Sequence, residues 1–280
     1  MTDIQPLLDV RDLSVVYEST GSAAVEAVKG VSFTLQRGEF VGLVGESGSG
    51  KSTLGFALTR LSKPPARISG GTILFDGRDV ATVEGEELRV QRHGGFAMVL
   101  QSGMNALNPV RSIRNHFVDI FRAHGHVARA DWEARAAELV GKVELPRQVL
   151  DRFPGELSGG MRQRVSICRA MLGDPDILLM DEPFAALDAF TRDDLNLELQ
   201  ANSARTQATT LFITHNIDEA IFLGDQVVVL DRRPGRVALV LDVELPRPRP
   251  LAVRETREFA DYRGLIRRTF EELGVLRRGS

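Results

Sequence analysis

The stretch Gly45-Glu46-Ser47-Gly48-Ser49-Gly50-Lys51-Ser52 has the residue types and the spacing that bind phosphate groups. It fits the pattern G-x-x-x-x-G-K-[ST] and lies between an apolar run at residues 40–44 and helix-forming residues from Thr53 onward. Between a strand and a helix, glycines let several backbone N–H groups converge on one anion, and the helix start adds partial positive charge. An ordinary glycine-rich turn is the alternative, but it does not require Lys and Ser in this register. The stretch therefore predicts a site for a nucleoside triphosphate.

Two side chains of this loop have specific expected roles. We expect Lys51 to reach the β- and γ-phosphates and the Ser52 hydroxyl to hold Mg²⁺. The nucleotide-binding residues predicted here are Gly45, Glu46, Ser47, Gly48, Ser49, Gly50, Lys51, Ser52 and Thr53. The loop alone does not indicate what nucleotide hydrolysis would drive.

Two carboxylates follow a second apolar run, at residues 177–180. In phosphoryl-transfer sites the first such carboxylate, here Asp181, holds Mg²⁺ through water. Glu182 should point elsewhere, because side chains alternate along a strand, and it can then orient and deprotonate an attacking water. The alternative is a solvated strand end stopped by Pro183.

Two further residues are candidates for nucleotide contacts. His215 follows the apolar strand predicted at residues 209–213, at the strand end where open α/β sheets place ligands, and it could hydrogen-bond a γ-phosphate. A lone histidine is more often structural, and the other four histidines have no such context. Tyr17 ends a predicted strand and either stacks on an adenine or packs within β structure.

A second anion-binding arrangement begins at Ser158. Ser158 is a good N-cap for a helix that runs to about residue 172, and Gly159 and Gly160 leave backbone N–H groups free at its start. One chain therefore contains two separate candidate sites for phosphate.

The elements that position these residues predict an α/β fold with a P-loop NTPase core. Antiparallel strands are expected before the phosphate loop, and the block at about residues 102–157 has a helical pattern that predicts an inserted helical subdomain. Residues 227–241 predict a β-hairpin, and residues 246–250 a stiff proline-rich linker. The tail after it has apolar residues at helical spacing with arginines between them, and this helix packs on its own domain or a sister subunit, or lies on a membrane. We therefore divide the chain into a domain at residues 1–245 and a linker with a helical tail at residues 246–280.

Composition narrows the class of protein. The 280 residues carry a formal net charge of −3, which argues against a nucleic-acid partner, and one cysteine, which excludes an intrachain disulfide. The N-terminus lacks the basic and apolar regions of a signal peptide, and no apolar run approaches the ~20 residues that span a bilayer. We expect any membrane role to require a partner.

Together these stretches resemble the ATP-binding subunit of ABC transporters over about residues 6–245. The most specific part is Leu157-Ser158-Gly159-Gly160-Met161-Arg162-Gln163, which resembles the signature motif of that family. The remaining matches, in the order of the family, are Tyr17 as stacking residue, the phosphate loop, Gln101 as Q-loop, Asp181-Glu182, Asp188 in the D-loop and His215 as switch histidine. The resemblance implies the ABC ATPase fold, with ATP and Mg²⁺ as ligands.

The resemblance also implies a mechanism and partners. Two ATP molecules are held between two such domains, so Ser158, Gly159 and Gly160 of one copy touch the γ-phosphate bound by the loop of the other. ATP closes the dimer, Glu182 activates water, His215 steadies the γ-phosphate and Gln101 senses Mg²⁺. Expected partners are a second ATPase subunit (the same chain or a paralogue), transmembrane permease subunits and, indirectly, a substrate-binding protein. The expected location is peripheral, on the cytoplasmic face of the inner membrane.

The cargo of such an importer stays open at this stage. Residues 45–52 and 104–109 resemble the dipeptide, oligopeptide and nickel branch, whereas residues 181–188, 231–236 and 245–249 resemble the nitrate, sulfonate and taurine branch. Peptide-like molecules and small organic or inorganic anions are both candidates.

Asn216 replaces the usual Asp after the switch histidine, a mild departure that we do not expect to stop hydrolysis. The alternative function is an ABC ATPase without a transport role, either a soluble mechanical ATPase or a regulatory module. The chain has a single nucleotide domain and a short spacing between the phosphate loop and the signature motif, and both features argue against a soluble mechanical ATPase. The presence of Glu182 and His215 argues against a regulatory module without turnover.

Overall fold

The computed structural model describes residues 5–19, 21, 23–88, 95–100, 107–124 and 127–274, without the side chain of His124. Gln101, predicted as a catalytic and Mg²⁺-sensing residue, lies outside the described residues, as do residues 104–106 of the peptide-branch resemblance.

Two β-sheets form the framework. The first has four antiparallel strands in the order β2-β1-β4-β5, and the second has six strands in the order β10-β9-β3-β8-β7-β6. The second sheet is parallel except for β10, which pairs antiparallel with β9. The strands are β1 (Leu8–Tyr17), β2 (Val25–Leu35), β3 (Phe40–Val44), β4 (Ala66–Phe75), β5 (Arg78–Asp79), β6 (Phe96–Val99), β7 (Ile177–Asp181), β8 (Thr209–Thr214), β9 (Gln226–Leu230) and β10 (Val237–Asp242).

The helices lie between and around these sheets. The α-helices whose two ends both lie in the described part of the chain are α1 (Lys51–Leu58), α2 (Ile113–His124), α3 (Trp132–Lys142), α4 (Gly159–Met171), α5 (Ala189–Thr206), α6 (Ile217–Leu223) and α7 (Arg257–Glu272). None of the described helices combines the length and the apolar composition needed to cross a membrane. The fold is the predicted α/β fold, and the hairpin predicted at residues 227–241 is confirmed as β9 and β10.

The order of the central strands brings the candidate site together. Strand β3 is buried along its whole length and pairs in parallel with β8, which in turn pairs in parallel with β7. Parallel strands end at the same edge of a sheet, and connections after their carboxyl ends form ligand sites there. The phosphate loop, Asp181-Glu182 and His215 all follow these ends and therefore meet at one edge.

Three apolar clusters form the core. One joins the antiparallel sheet to α1 and one face of the central sheet, and a second covers the opposite face with α6 and α7. The third is built by α2, α3 and α4 and includes Val165, Cys168 and Leu172. The apolar side of α4, which begins after the subdomain end predicted at about residue 157, also belongs to this cluster.

The proline-rich segment at residues 246–250, which the sequence pattern indicated as a stiff linker, packs into the domain. Arg249 is 1% exposed, and burial lowers the pKa of its guanidinium to about 10. Its N–H groups donate to backbone carbonyls of Ile221, Phe222, Gly224, Val243 and Leu245. The last carbonyls of a helix have no partners within the helix, so this cation satisfies the C-terminal end of α6.

The tail helix α7 packs on its own domain. Phe259, Ile266 and Phe270 are buried and join the second cluster, in which they accompany residues of α6. Of the alternatives that the sequence left open, the structure places the apolar side of this helix against its own domain.

We expect Arg249→Met to lower the free energy of unfolding by about 3 kcal/mol, because it leaves several buried carbonyls without donors. Urea denaturation measures this loss. The matched control is Arg267→Met, at an exposed position of α7, which should change stability by less than about 0.5 kcal/mol. Equal losses in the two variants would contradict the role assigned to Arg249.

Candidate nucleotide site

The phosphate loop joins β3 to α1 in a conformation that requires glycine. Gly50, the N-cap of α1, has φ of 85°, and a Cβ atom there would lie 2.6 Å from the carbonyl oxygen of Ala27. At Gly45 a Cβ atom would lie 2.5 Å from Ser49 Oγ. Side chains at these positions would therefore force the loop backbone apart, which explains the glycine spacing found in the sequence.

Lys51 places a positive charge inside this loop. The residue is 5% exposed, and its Nζ donates to the carbonyl oxygens of Gly45 and Glu46, both at 2.8 Å. Burial lowers the pKa of the ammonium group, and the carboxylates of Glu182, Asp181 and Glu46 oppose that shift. A buried ammonium group beside backbone N–H groups is suited to bind a phosphate.

The phosphate loop also contains the hydroxyl groups of Ser49 and Ser52. Ser49 is fully buried, and its Oγ has no hydrogen-bond partner in the described part of the chain. Ser52 Oγ donates to Asp181 Oδ1 at 3.0 Å, which joins the start of α1 to the end of β7. Burial raises the pKa of Asp181, and the hydrogen bond from Ser52 opposes the shift. The hydroxyl and the carboxylate together are the hard oxygen ligands that Mg²⁺ prefers, so the residues present fit this ion.

Glu182 and His215 lie next to each other at the same sheet edge. The backbone of Glu182 has φ of 45°, and its N–H donates to the Ile213 carbonyl at 2.8 Å. This left-handed conformation is costly for a residue other than glycine and is common at functional sites. It separates the Glu182 carboxylate from that of Asp181 and brings its Oε2 to 3.2 Å from His215 Nδ1.

Tyr17 lies at the rim of the phosphate loop. Its hydroxyl is 3.0 Å from Thr53 Oγ1, on the first turn of α1, and the residue is 39% exposed. The end of β1 therefore places an accessible aromatic ring beside the loop. Stacking of that ring on an adenine stays a prediction.

The signature segment and Asp188 share a different surface. Ser158 Oγ accepts from the Met161 N–H at 3.2 Å, so it is the N-cap of α4, as its residue type predicts. A Cβ atom at Gly160 would lie 3.0 Å from Thr191 Cγ2, which packs the start of α4 against the start of α5. Asp188 caps α5 by accepting from the Thr191 N–H at 3.0 Å, and this bond lowers the pKa of Asp188.

The two candidate phosphate sites are separate within one chain. In the residues that the structure covers, no hydrogen bond joins Ser158, Gly159 or Gly160 to the phosphate loop. The phosphate loop belongs to the core of the central sheet, whereas α4 belongs to the helical unit.

The site residues predicted from the sequence do not include Arg232. This residue lies in the turn of the β9–β10 hairpin and donates to Glu46 Oε2 at 2.9 Å. The same turn approaches the loop so closely that a Cβ atom at Gly235 would lie 2.2 Å from the Ser49 carbonyl oxygen. The only sequence signal for this close approach is Gly235, after Pro234, which the hairpin prediction explained as a turn residue.

Comparisons with known proteins identify the family. The family profile described as "ABC transporter" matches residues 28–185. The chain is 41% identical to the peptidoglycan transport ATP-binding protein YejF of Agrobacterium fabrum, over 82% of this chain and 43% of that protein. It is 37% identical to the dipeptide transport ATP-binding protein DppD of Caldanaerobacter subterraneus, over 80% of this chain and 69% of the relative.

A solved structure shares the fold. The dimeric structure of MJ0796, described as a bacterial ABC transporter cassette, superposes with a TM-score of 0.73 at 27% identity, covering 85% of this chain and all of the cassette. A second structure of that cassette, in a post-hydrolysis state bound to ADP and Pi, has a TM-score of 0.72 at 26% identity and the same 85% coverage of this chain. With the motifs assembled at one sheet edge and a family match over more than half of its length, the chain belongs to the ABC transporter family, as an ATP-hydrolysing subunit.

Proposed function

We propose that this ATPase powers the import of peptides or peptide-like molecules through a separate transmembrane permease. The observation that carries the ATPase mechanism is the meeting of Lys51, Ser52, Asp181, Glu182 and His215 at one edge of the central sheet. The relatives named above are transport proteins for peptidoglycan and dipeptides, and the oligopeptide transport protein OppD of Bacillus subtilis is 34% identical over 82% of this chain and 65% of its own length. These names support a peptide-like cargo.

The resemblance to the anion branch has a structural explanation. Arg232 and Gly235, in the segment at residues 231–236, contact the phosphate loop. Arg249, in the segment at residues 245–249, satisfies the end of α6. Because these residues support the ATPase domain itself, as residues 45–52 of the peptide-branch resemblance also do, neither resemblance decides the cargo, and the proposed cargo rests on the named relatives.

The residues of the phosphate loop would bind the triphosphate of ATP. Lys51 and the backbone N–H groups of the loop bind its phosphate oxygens, and Tyr17 stacks on the adenine. Ser52 and Asp181 would hold Mg²⁺, which neutralises negative charge on the phosphates when it is bound. Gln101 is assigned a role at the same ion from the family resemblance alone.

Glu182 acts as the general base on the attacking water. Its carboxylate is mostly shielded, with 18% of the side chain exposed, and it is held beside His215 rather than beside Ser52. His215 has 57% of its side chain exposed, so its imidazole is accessible to a γ-phosphate. The two side chains therefore have different roles: Glu182 accepts a proton from the attacking water, and His215 stabilises the γ-phosphate by hydrogen bonding.

A second copy of the chain, or a paralogue, would complete each site. Ser158, Gly159 and Gly160 begin α4 with N–H groups available for an anion, and they lie beside Asp188 on one surface. MJ0796, the cassette with the similar fold, is described as dimeric. In the proposed dimer these residues bind the γ-phosphate held by the other copy, on the cytoplasmic face of the membrane and in contact with the permease.

We expect Glu182→Gln to lower ATP turnover by at least ~100-fold while ATP binding is kept, because only the general base is lost. Steady-state hydrolysis and nucleotide affinity, measured on the same protein, separate the two effects. Lys51→Ala is the contrasting variant, in which ATP affinity itself should fall. Turnover of Glu182→Gln at the unsubstituted rate would rule out the general-base role.

The peptide-import proposal is tested by isolating the tagged chain from its native membrane with the proteins bound to it. We expect permease subunits and a binding protein whose bound ligands are peptides, and we expect these peptides to raise ATP turnover in the reconstituted complex. If sulfonates or nitrate raised ATP turnover and peptides did not, the result would contradict a peptide cargo. Recovery on ribosomes or DNA would contradict the transport role.

A further inference from the structure

A buried carboxylate that the proposed mechanism does not use lies behind His215. Glu219, on α6, is 4% exposed, and burial raises the pKa of its side chain. A carboxylate withdrawn from water is costly unless donors surround it, so its partners indicate why it is placed there.

Two of these partners flank His215 along the chain. Thr214 Oγ1 donates to Glu219 Oε2 at 2.7 Å, and Asn216 Nδ2 donates to Glu219 Oε1 at 3.4 Å. The Asn216 backbone N–H also donates to Thr214 Oγ1 at 3.0 Å. The residues immediately before and after His215 are therefore both held by Glu219, so the carboxylate fixes the backbone that carries the imidazole.

A third partner comes from a different element. Arg192, on α5, has its Nε 3.5 Å from Glu219 Oε1, and its guanidinium also donates to the Leu187 carbonyl at 3.1 Å. Leu187 is the residue before Asp188, on the surface assigned above to the second copy. A continuous set of contacts thus runs from the Leu187-Asp188 backbone through Arg192 and Glu219 to both sides of His215.

We propose that Glu219 and Arg192 are positioning residues that couple the Leu187-Asp188 segment to the orientation of His215. When a second copy contacts this segment, Arg192 and Glu219 keep His215 in the position beside Glu182 that it already has in the single chain. The inference deepens the proposed function and rests on the role given there to His215. If Glu219 and Arg192 formed only a structural ion pair, loss of Glu219 would not act specifically on turnover. As positioning residues, they predict that loss of Glu219 impairs turnover through His215 and leaves ATP affinity intact.

The same network accounts for Asn216. Its Oδ1 accepts from the N–H groups of Asp218 at 2.9 Å and Glu219 at 3.3 Å, so it caps α6, and its amide then has Nδ2 free to donate to the carboxylate. An Asp would cap the helix equally well but would bring a second negative charge to Glu219. Asn216, the residue after the switch histidine, can therefore both cap α6 and donate to the buried Glu219 carboxylate.

The test is Glu219→Gln in the full-length chain. Gln has nearly the same shape, but it removes the charge that faces Arg192 and sets an N–H₂ group against one of the donors that the carboxylate accepts from. We expect kcat to fall about tenfold, equivalent to about 1.4 kcal/mol of barrier, with ATP affinity within about twofold of the original. Arg192→Gln, at a partly exposed position, should change kcat in the same direction and provides the test if Glu219→Gln does not fold.

The matched control is Glu198→Gln. Glu198, on α5 with Arg192, also accepts from an arginine, Arg164 Nε at 2.7 Å. No described hydrogen bond or ion pair joins Glu198 or Arg164 to the residues that flank His215. We expect its kcat to be unchanged. Equal losses of turnover in the Glu198 and Glu219 variants, or a loss of ATP affinity in place of kcat, would overturn the inference.

A double substitution separates this inference from the proposed function. If Glu219 acts through His215, adding Glu219→Gln to His215→Ala should lower turnover no further than His215→Ala alone. Independent, additive losses would overturn the coupling while leaving the role of His215 intact. Full turnover in His215→Ala alone would instead contradict the role of His215 in the proposed function, and the coupling with it.

Discussion

The site depends on two buried charged groups, an ammonium and a carboxylate, that lie at one edge of the central sheet. The Lys51 ammonium group is buried against loop carbonyls, and Asp181 is buried against Ser52. Among the described residues, neither group has an oppositely charged hydrogen-bond partner, so both can bind ligands that carry charge. The glycine spacing of the loop, the parallel order of β3, β8 and β7, and the left-handed backbone at Glu182 all keep these groups in position.

The second constraint is that the two candidate phosphate sites are built on different parts of the fold. The phosphate loop is built on the core of the central sheet, and the signature segment begins a helix whose core is that of the helical unit. Among the described residues, no hydrogen bond joins Ser158, Gly159 or Gly160 to the phosphate loop. This arrangement agrees with the proposal that each is half of a site. Gly160, on the signature helix, packs against Thr191, whose N–H donates to Asp188.

The site could be predicted from sequence more fully than the surroundings that support it. The strands at residues 40–44, 177–181 and 209–214 are short apolar runs, and the roles expected of Lys51 and Ser158 follow from contacts within a few residues of each. Burial of Arg249 could not be predicted, because its carbonyl acceptors on α6 lie more than twenty residues away and only folding brings them together. The contact of Arg232 with Glu46 and the Arg192–Glu219 pair also join residues that are far apart in sequence.

The central claim, that two copies share each site, is tested most directly by mixing two inactive variants. Lys51→Ala disables the phosphate loop, and Ser158→Asp keeps the N-cap of α4 but repels a phosphate. Mixed dimers would contain one site with neither substitution. We predict that each variant alone hydrolyses ATP poorly and that the mixture regains turnover. A mixture as inactive as its components would contradict the shared site, because a site formed within one chain would be damaged in both variants.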